Sequence, residues 1–207
     1  MKLTSESKFF LGIITVTALI VTAAVILLSR PQKPIAKEEL IPASAFTRGN
    51  KDAQVWLVEF SDFQCLACKV FASVVDELSQ TYPDRLLIAY RHFPLPQHLF
   101  AQKAAIAAEA AGLQGKFWDM DKLLFASQDT LSEAKFTELA KELSLDMVAF
   151  ASASSDPKVL EKINADVSYG NKLGLNATPT FYLNGVKLDV GTPEDLKKKV
   201  ENAINTK

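Results

Sequence analysis

Cys65 and Cys68 are the two cysteines of this 207-residue chain, and two residues separate them. They lie between an apolar run that predicts a strand, residues 55–60, and a run that predicts a helix, residues 70–82. Two thiols at this spacing can close a small disulfide ring, and the first would meet the unpaired N–H groups and positive end of the helix. That field favours thiolate, which is the nucleophile of disulfide exchange. The pattern therefore predicts a redox dithiol.

Two other kinds of site fit the same pair of cysteines. A structural zinc site usually has four ligands, and the remaining soft ligands here, His92 and His98, do not follow the spacing of such a site. A purely structural disulfide would close a very short loop and would restrict the unfolded chain little. Redox chemistry is the interpretation that we carry forward.

The overall composition indicates a folded domain. Charged residues make up 23% of the chain and the formal net charge is −1, which argues against disorder. No basic stripe is present that would indicate binding to nucleic acid. The chain is long enough for one domain and an additional segment.

Residues 9–28 form a twenty-residue run without a charged side chain. As a helix this run would span about 30 Å, the thickness of the hydrocarbon core of a bilayer. A cleaved signal peptide would have a shorter apolar region followed by small residues, and residues 27–31 offer no such cleavage site. We therefore predict an uncleaved signal anchor over residues 9–28, with residues 1–8 as a cytoplasmic tail and a cleaved signal peptide as the alternative.

The flanking charges do not give a clear orientation for this anchor. Lys2 and Lys8 precede the run, whereas Arg30, Lys33 and Lys37 follow it, so positive charge alone weakly favours the opposite orientation. Long domains, however, are translocated largely regardless of flanking charge. A tethered dithiol domain is also most useful outside the reducing cytosol. We expect a single-pass membrane protein whose domain lies on the extracytoplasmic side.

The residues after the anchor divide into a linker and a domain. Residues 29–49 carry scattered prolines, mixed charges and no sustained periodicity, which predicts a linker. From residue 50 the pattern changes, and predicted strands at residues 54–60 and 86–93 flank a predicted helix at residues 65–82. This order predicts a βαβ unit with parallel strands.

The second half of the domain is predicted to be helical and then to return to strand. Residues 96–174 lack strand signals and predict an inserted all-helical subdomain. Asn184-Gly185 between two short apolar runs is a strong hairpin signal. Thr192-Pro193 combines a helix cap with proline at the first helical position, which predicts a final helix to about residue 205.

This order, with the dithiol at the first helix and Thr178-Pro179 before the hairpin, resembles the thioredoxin fold. The inserted helical block resembles the DsbA-like branch of that family, whose members include membrane-anchored bacterial thiol–disulfide oxidoreductases. Residues 58–69 (VEFSDFQCLACK) and residues 90–98 (YRHFPLPQH) carry the resemblance, which extends over about residues 50–205. It implies an α/β fold, β-α-β followed by the helical insertion and then β-β-α, preceded by one transmembrane helix.

The resemblance also implies roles for five residues. Cys65 would be the nucleophile and the more exposed thiol, and Cys68 the more buried, resolving thiol. Pro179 would be a cis-proline facing the dithiol, and the backbone of Thr178 could pair with an extended substrate chain. Glu59, on the strand that leads to Cys65, would accept the proton of the resolving thiol; its alternative is a solvent-facing strand residue.

Four further residues bear on the expected chemistry. Leu66-Ala67, between the cysteines, has no polar side chain, so we expect only the helix N-terminus and the backbone to stabilise the Cys65 thiolate. This predicts a modestly acidic thiol and a milder oxidant than the strongest family members. His92 and His98 are expected to be surface residues at a strand end and a helix start rather than catalytic bases.

The predicted function is thiol–disulfide exchange with exported, cysteine-containing polypeptides. No cofactor, metal site or nucleic-acid partner is expected, and a membrane or extracytoplasmic redox partner would reset the dithiol. The net direction, whether oxidation, isomerisation or reduction, stays open. The alternative is a thioredoxin-like metal carrier that holds Cu(I) between two thiolates, although no methionine flanks Cys65.

Overall fold

The computed structural model describes residues 5–28 and 33–206 of the chain, which divides into two units, Met1–Lys33 and Pro34–Lys207. In the first unit, helix α1 spans Ser5–Leu28. Among the described residues, no helix combines the length and the hydropathy that crossing a membrane requires. The signal anchor remains a prediction, and parts of the predicted tail and linker, residues 1–4 and 29–32, lie outside the described residues.

The second unit has a five-stranded sheet with the strand order β1-β3-β2-β4-β5. Its elements in chain order are α2 (Lys37–Leu40), β1 (Phe46–Gly49), β2 (Val55–Ser61), α3 (Leu66–Thr81), β3 (Leu86–His92), α4 (Ala101–Gly112), α5 (Phe117–Ala126), a 3₁₀ turn (Gln128–Thr130), α6 (Glu133–Glu142), α7 (Met147–Ser154), α8 (Pro157–Lys172), β4 (Thr180–Leu183), β5 (Val186–Lys187) and α9 (Pro193–Asn205). Strands β2 and β3 pair in parallel, and the other neighbouring strands pair antiparallel. The predicted mixed α/β fold with a helical insertion is confirmed.

Strand β2 lies at the centre of the sheet and all seven of its residues are buried. Its side chains alternate between the two faces, so Leu57 packs in the core beneath α3 and α9, whereas Val58 and Phe60 pack in the core of the opposite face. Burial on both faces accounts for the continuous apolar run in the sequence. The same alternation places Glu59 on the α3 side of the sheet.

Helix α9 begins where the predicted cap places it, and α6 also begins at a side-chain cap. The Thr192 hydroxyl accepts a hydrogen bond from the Asp195 N–H at 3.2 Å. The Ser132 hydroxyl caps α6, accepting from the Lys135 N–H at 3.2 Å. Both caps satisfy backbone N–H groups that the first turn of a helix leaves unpaired.

The predicted linker over residues 29–49 is too long. Residues 46–49 form the edge strand β1, which pairs with β3, and Leu40 is fully buried beneath the sheet. The Ile35 N–H donates to the Gly185 carbonyl at 2.9 Å, so the chain already contacts the β4–β5 hairpin at this point. The segment was misassigned because its apolar residues find partners in strands far along the chain, and its own sequence has no periodicity.

The helical insertion packs directly against the dithiol. One continuous hydrophobic core contains both cysteines together with buried side chains of α4, α5, α6 and α7. The ring of Phe63, two residues before Cys65, stacks on Tyr90 with 5.3 Å between ring centroids and lies 5.1 Å from Phe125 of α5. The insertion therefore forms one wall of the region around Cys65.

Candidate active site

Cys65 and Cys68 occupy the start of α3 in different environments. Cys65 is the N-cap residue, in extended conformation, and is 9% exposed, whereas Cys68 lies in the first turn and is fully buried. The two sulfurs are not bonded to each other, so the structure describes the reduced dithiol. As predicted, Cys65 is the more exposed thiol and Cys68 the more buried one.

Thr178 and Pro179 lie beside Cys65, although 113 residues separate Cys65 from Thr178 in the chain. The Thr178–Pro179 peptide bond is cis, as predicted. The Cys65 thiol donates a hydrogen bond to the Thr178 carbonyl, with 3.3 Å between sulfur and oxygen. A thiolate cannot donate this bond, so ionisation of Cys65 would free the Thr178 carbonyl to accept from another donor.

The environment of Cys65 lowers the pKa of its thiol to about 5. The largest cause is the hydrogen bond from the Cys68 thiol, and the Thr178 side chain and the backbone N–H groups of Ala67 and Cys68 act in the same direction against the effect of burial. Cys65 is therefore largely thiolate at neutral pH. The expectation of a modestly acidic thiol is wrong, because two donors outside the Leu66-Ala67 pair contribute.

The environment of Cys68 acts in the opposite sense. Burial raises the pKa of the Cys68 thiol well above its usual value, and the hydrogen bond to Cys65 and the charge of Glu59 raise it further. Cys68 therefore keeps its proton at neutral pH. To act as a nucleophile it must transfer that proton to a nearby base.

Glu59 is the carboxyl group that the fold places behind Cys68. It is 4% exposed, in the middle of β2, so the alternative of a solvent-facing strand residue is wrong. Burial raises the pKa of Glu59 to about 7, while the Ser61 side chain and the Arg48 charge oppose this shift and the Asp76 charge adds to it. A carboxyl group that titrates near neutral pH can both accept and release a proton there.

Asp62, which the sequence analysis did not single out, organises the loop before Cys65. Its side chain is fully buried and accepts hydrogen bonds from the backbone N–H groups of Gln64 at 2.7 Å and Leu95 at 2.8 Å. It also contacts His98, with 2.6 Å between Oδ2 and Nδ1. Asp62 thus links the loop that carries the nucleophile, by hydrogen bonds, to the loop that follows β3. An aspartate directly after a buried strand was the available signal.

Gln128, in the 3₁₀ turn of the insertion, is a second residue that sequence reasoning missed. It is buried, and its Nε2 donates to the Phe63 carbonyl at 2.8 Å and to the Cys65 carbonyl at 3.0 Å. The side chain therefore holds the backbone on which the nucleophile sits. No local pattern marks this residue, because its partners are more than sixty residues away.

His92 and His98, both expected at the surface, differ in exposure. His92 is 2% exposed, and its Nε2 lies 3.0 Å from a carboxylate oxygen of Glu109, which also pairs with Lys162. The prediction of a surface residue is wrong for His92, because the β3 end is covered by α4 and α8. His98 is partly exposed and is held by Asp62.

Exposed apolar side chains surround the start of α3. Leu66 is 69% exposed and Val70, one turn later, is 56% exposed. Leu99 is 79% exposed in the loop whose next residue, Phe100, donates its N–H to the Gln64 side chain at 2.7 Å. These side chains offer apolar contact area close to the dithiol.

Known proteins resemble the chain in sequence and in fold. A family model described as thioredoxin matches residues 43–202. The crystal structure of a thioredoxin-like oxidoreductase from Silicibacter pomeroyi is similar with a TM-score of 0.71 and 26% identity, covering 83% of this chain and 99% of that chain. The thiol-disulfide exchange protein alpha-DsbA2 from Wolbachia pipientis has a TM-score of 0.72 at 21% identity, covering 81% and 91%. BdbD from Bacillus subtilis has a TM-score of 0.69 at 22% identity, covering 84% and 97%.

Curated relatives of higher identity are much longer proteins. A Na⁺/H⁺ antiporter from Mycolicibacterium vanbaalenii is 37% identical over 163 residues, which cover 76% of this chain and 26% of the antiporter. A second antiporter, from Salinispora tropica, is 39% identical over 145 residues, which cover 70% and 22%. The chain thus spans about a quarter of the length of the curated relatives it matches. The likeness concerns one part of those proteins.

Proposed function

The chain belongs to the thioredoxin family as a DsbA-like thiol–disulfide oxidoreductase, and from this premise we propose that it exchanges disulfides with exported polypeptides through Cys65 and Cys68. One observation carries the proposal. At the start of α3, the N-cap residue Cys65 lies beside the cis Thr178–Pro179 bond and has its pKa lowered to about 5, and the fully buried Cys68 in the first turn has its pKa raised far above the usual value. The first is ready to attack a disulfide, and the second stays protonated until it is needed.

In the reducing direction the Cys65 thiolate attacks a substrate disulfide. A Cys65–substrate disulfide forms and the other substrate sulfur leaves as a thiolate. Cys68 then transfers its proton to Glu59 and attacks the Cys65 sulfur, so the Cys65–Cys68 bond forms and the second substrate thiolate leaves. In the oxidising direction these steps run in reverse. No cofactor takes part, and a second dithiol or disulfide protein returns the pair to its starting state.

The surroundings of Cys65 support a polypeptide as the substrate. Main-chain groups of Thr178 lie at the nucleophile and are suited to pair with an extended chain. The exposed Leu66 and Leu99 provide contact area for apolar residues of an unfolded chain. An unfolded polypeptide offers both an extended backbone and exposed apolar side chains, whereas a small thiol offers neither.

Transfer of a disulfide tests the proposed function. The oxidised protein, mixed with an equal amount of a reduced, unfolded polypeptide that contains two cysteines, should pass on its disulfide. After acid quenching, mass spectrometry should show a substrate lighter by two hydrogens and a protein with two alkylatable thiols. The same polypeptide with serines in place of cysteines is the control. Absence of transfer in both the oxidising and the reducing direction would contradict the proposal.

We further propose that residues 9–28 stay attached and hold the domain on the extracytoplasmic side of the membrane, because the sequence has twenty consecutive positions there without a charged side chain. The full-length chain should remain in membranes washed at high pH. Leu19→Lys is the matched variant, since a lysine at the centre of a spanning helix disfavours insertion by roughly 3 kcal/mol. Recovery of a soluble species that begins near residue 30 would contradict the anchor.

A further inference from the structure

Three buried polar atoms with unused hydrogen-bonding capacity lie together behind Cys68. Glu59 Oε1, Ser61 Oγ and the Tyr90 hydroxyl have no hydrogen-bond partner among the residues that the structure describes. Glu59 and Ser61 lie on the same face of β2, and Tyr90 is the register partner of Glu59 on β3. Such groups are costly to bury unless they bind a proton, a water molecule or another polar group. The cluster therefore has unused capacity to bind a proton or a water molecule.

Helix α5 brings a second carboxyl group to this cluster. The ring of Phe117 lies 5.3 Å from that of Tyr90 between centroids, which places this face of α5 over the cluster. Asp121 follows Phe117 by one helical turn and therefore lies on the same face. Asp121 is only 6% exposed.

Electrostatics agree with this placement of Asp121. Burial raises its pKa well above the usual range, and the charge of Glu59 is the next largest cause. Burial also raises the pKa of Tyr90, and the charges of Asp121, Glu59 and Cys68 add to that shift. The two carboxyl groups thus act on each other and on the Tyr90 hydroxyl.

Asp121 also reaches the surface. A cavity of about 240 Å³ opens between α3 and α5, and Asp121 lines it together with Asp76 and Lys122. Of the two carboxyl groups, Asp121 is the one that lines this open cavity as well as the buried cluster. A proton on Asp121 has a short way to bulk water.

Two cationic side chains and one further carboxylate lie near the pair. Arg48 of β1 pairs with Asp76 of α3, and Lys122 Nζ lies 3.4 Å from the same carboxylate. Arg48 and Lys122 act to lower the pKa of Asp121, and Asp76 acts to raise it. These three side chains leave one net positive charge, yet burial and the charge of Glu59 still keep the pKa of Asp121 raised, so Glu59 and Asp121 compete for a proton. Two interacting carboxyl groups in one buried site hold their protons as a pair.

We propose that Asp121 is the outer carboxyl group of a proton path that connects the Cys68 thiol, through Glu59, with the cavity between α3 and α5. The inference rests on the proposed function. When Cys68 attacks the mixed disulfide, its proton passes to Glu59, Glu59 passes a proton to Asp121, and Asp121 releases one to water. The Cys65–substrate bond breaks, the Cys65–Cys68 bond forms and the substrate leaves as a thiolate. In the oxidising direction the proton returns by the same path.

Reaction with an aromatic disulfide measures the attack by Cys65 and the attack by Cys68 as separate phases. The reduced full-length chain in detergent, mixed with a slight excess of 5,5′-dithiobis(2-nitrobenzoate), should release coloured thiolate in two phases. The first phase depends on reagent concentration and reports attack by Cys65, and the second is intramolecular and reports attack by Cys68. Asp121→Asn should leave the first phase unchanged and slow the second roughly tenfold or more. This effect is smaller than that of losing a general base outright, because Glu59 can still accept the proton of Cys68. Asp119→Asn, in the exposed Lys116–Asp119 pair of the same helix, should change neither phase.

Chemical rescue distinguishes proton transfer from a structural role. Asp121→Ala opens space for a small carboxylate, so added formate should speed the second phase in this variant but not in Asp121→Asn. A second phase of wild-type rate in Asp121→Asn, or a slow phase in Asp121→Ala that formate does not restore, would overturn the path. Absence of both phases in the wild-type protein would instead overturn the proposed function, and the path with it.

Discussion

Cys65→Ser is expected to abolish disulfide exchange, whereas Cys68→Ser should accumulate a mixed disulfide with substrate. Only the first thiol ionises near neutral pH, because the Cys68 thiol, the Thr178 side chain and two backbone N–H groups stabilise its thiolate. The second thiol is the group that would release the substrate from Cys65. Non-reducing gel electrophoresis after an acid quench should show the trapped species with Cys68→Ser and none with Cys65→Ser.

The pH dependence of alkylation checks the same assignment. Because the thiolate is the nucleophile, labelling of Cys65 in the reduced protein should rise with pH through a midpoint near 5 and then stay constant to pH 8. Cys68→Ala should move this midpoint upward, since it removes the largest stabilising hydrogen bond, while Cys68→Ser keeps a donor at that position. Preferential labelling of Cys68, or a midpoint near the usual thiol value of 9.0, would reverse the assigned roles.

Local signals predicted the elements of the fold that depend on nearby residues. Both residues of the Asn184-Gly185 turn have positive φ, 49° and 84°. Because Asn-Gly is the dipeptide that favours this conformation, the hairpin could be predicted from these two residues alone. The cap at Thr192 is equally local. Strand β1 is the opposite case, because its place in the sheet depends on β3, some forty residues later. Its four residues carry no pattern of their own.

The residues of the candidate site also divide into those that a sequence pattern indicates and those that depend on distant partners. Cys65 and Cys68 follow from their spacing at a helix start, and Glu59 and Pro179 follow from the resemblance to a family. Asp62 offered only its position directly after a buried strand, and Gln128 offered no signal, because the partners of both become neighbours only after the chain has folded.

The acidity of Cys65 was underestimated for a related reason. The two residues between the cysteines carry no polar side chain, but the largest contribution to the lowered pKa comes from the thiol of Cys68 itself. The helical insertion contributes a further set of contacts, since Gln128 holds the carbonyl of Cys65 from that block. The insertion is therefore part of the site.

Glu59→Gln should separate the two steps of exchange and, at the same time, stabilise the protein. Glutamine cannot accept the proton of Cys68, so the second, intramolecular step should slow by roughly 100-fold or more, whereas attack by Cys65 should be little changed. The two-phase reaction with an aromatic disulfide measures both rates in one experiment. Glu142→Gln, at an exposed position, is the control and should alter neither.

The stability effect follows from the raised pKa of Glu59, about 7 in the folded protein against 4.5 in the unfolded chain. Between these values the native state binds more protons than the unfolded state, so stability falls as pH rises from about 4.5 to 7. The loss is absent at pH 4 and complete above pH 7, where it amounts to about 3 kcal/mol. Urea unfolding of the reduced proteins should therefore show Glu59→Gln equal to wild type at pH 4 and more stable at pH 8. If Glu59→Gln slows the Cys68 step but is no more stable than wild type at pH 8, Glu59 is ionised in the folded protein at little cost in stability. If Glu59→Gln leaves the rate of the Cys68 step unchanged, Glu59 does not accept the proton of Cys68.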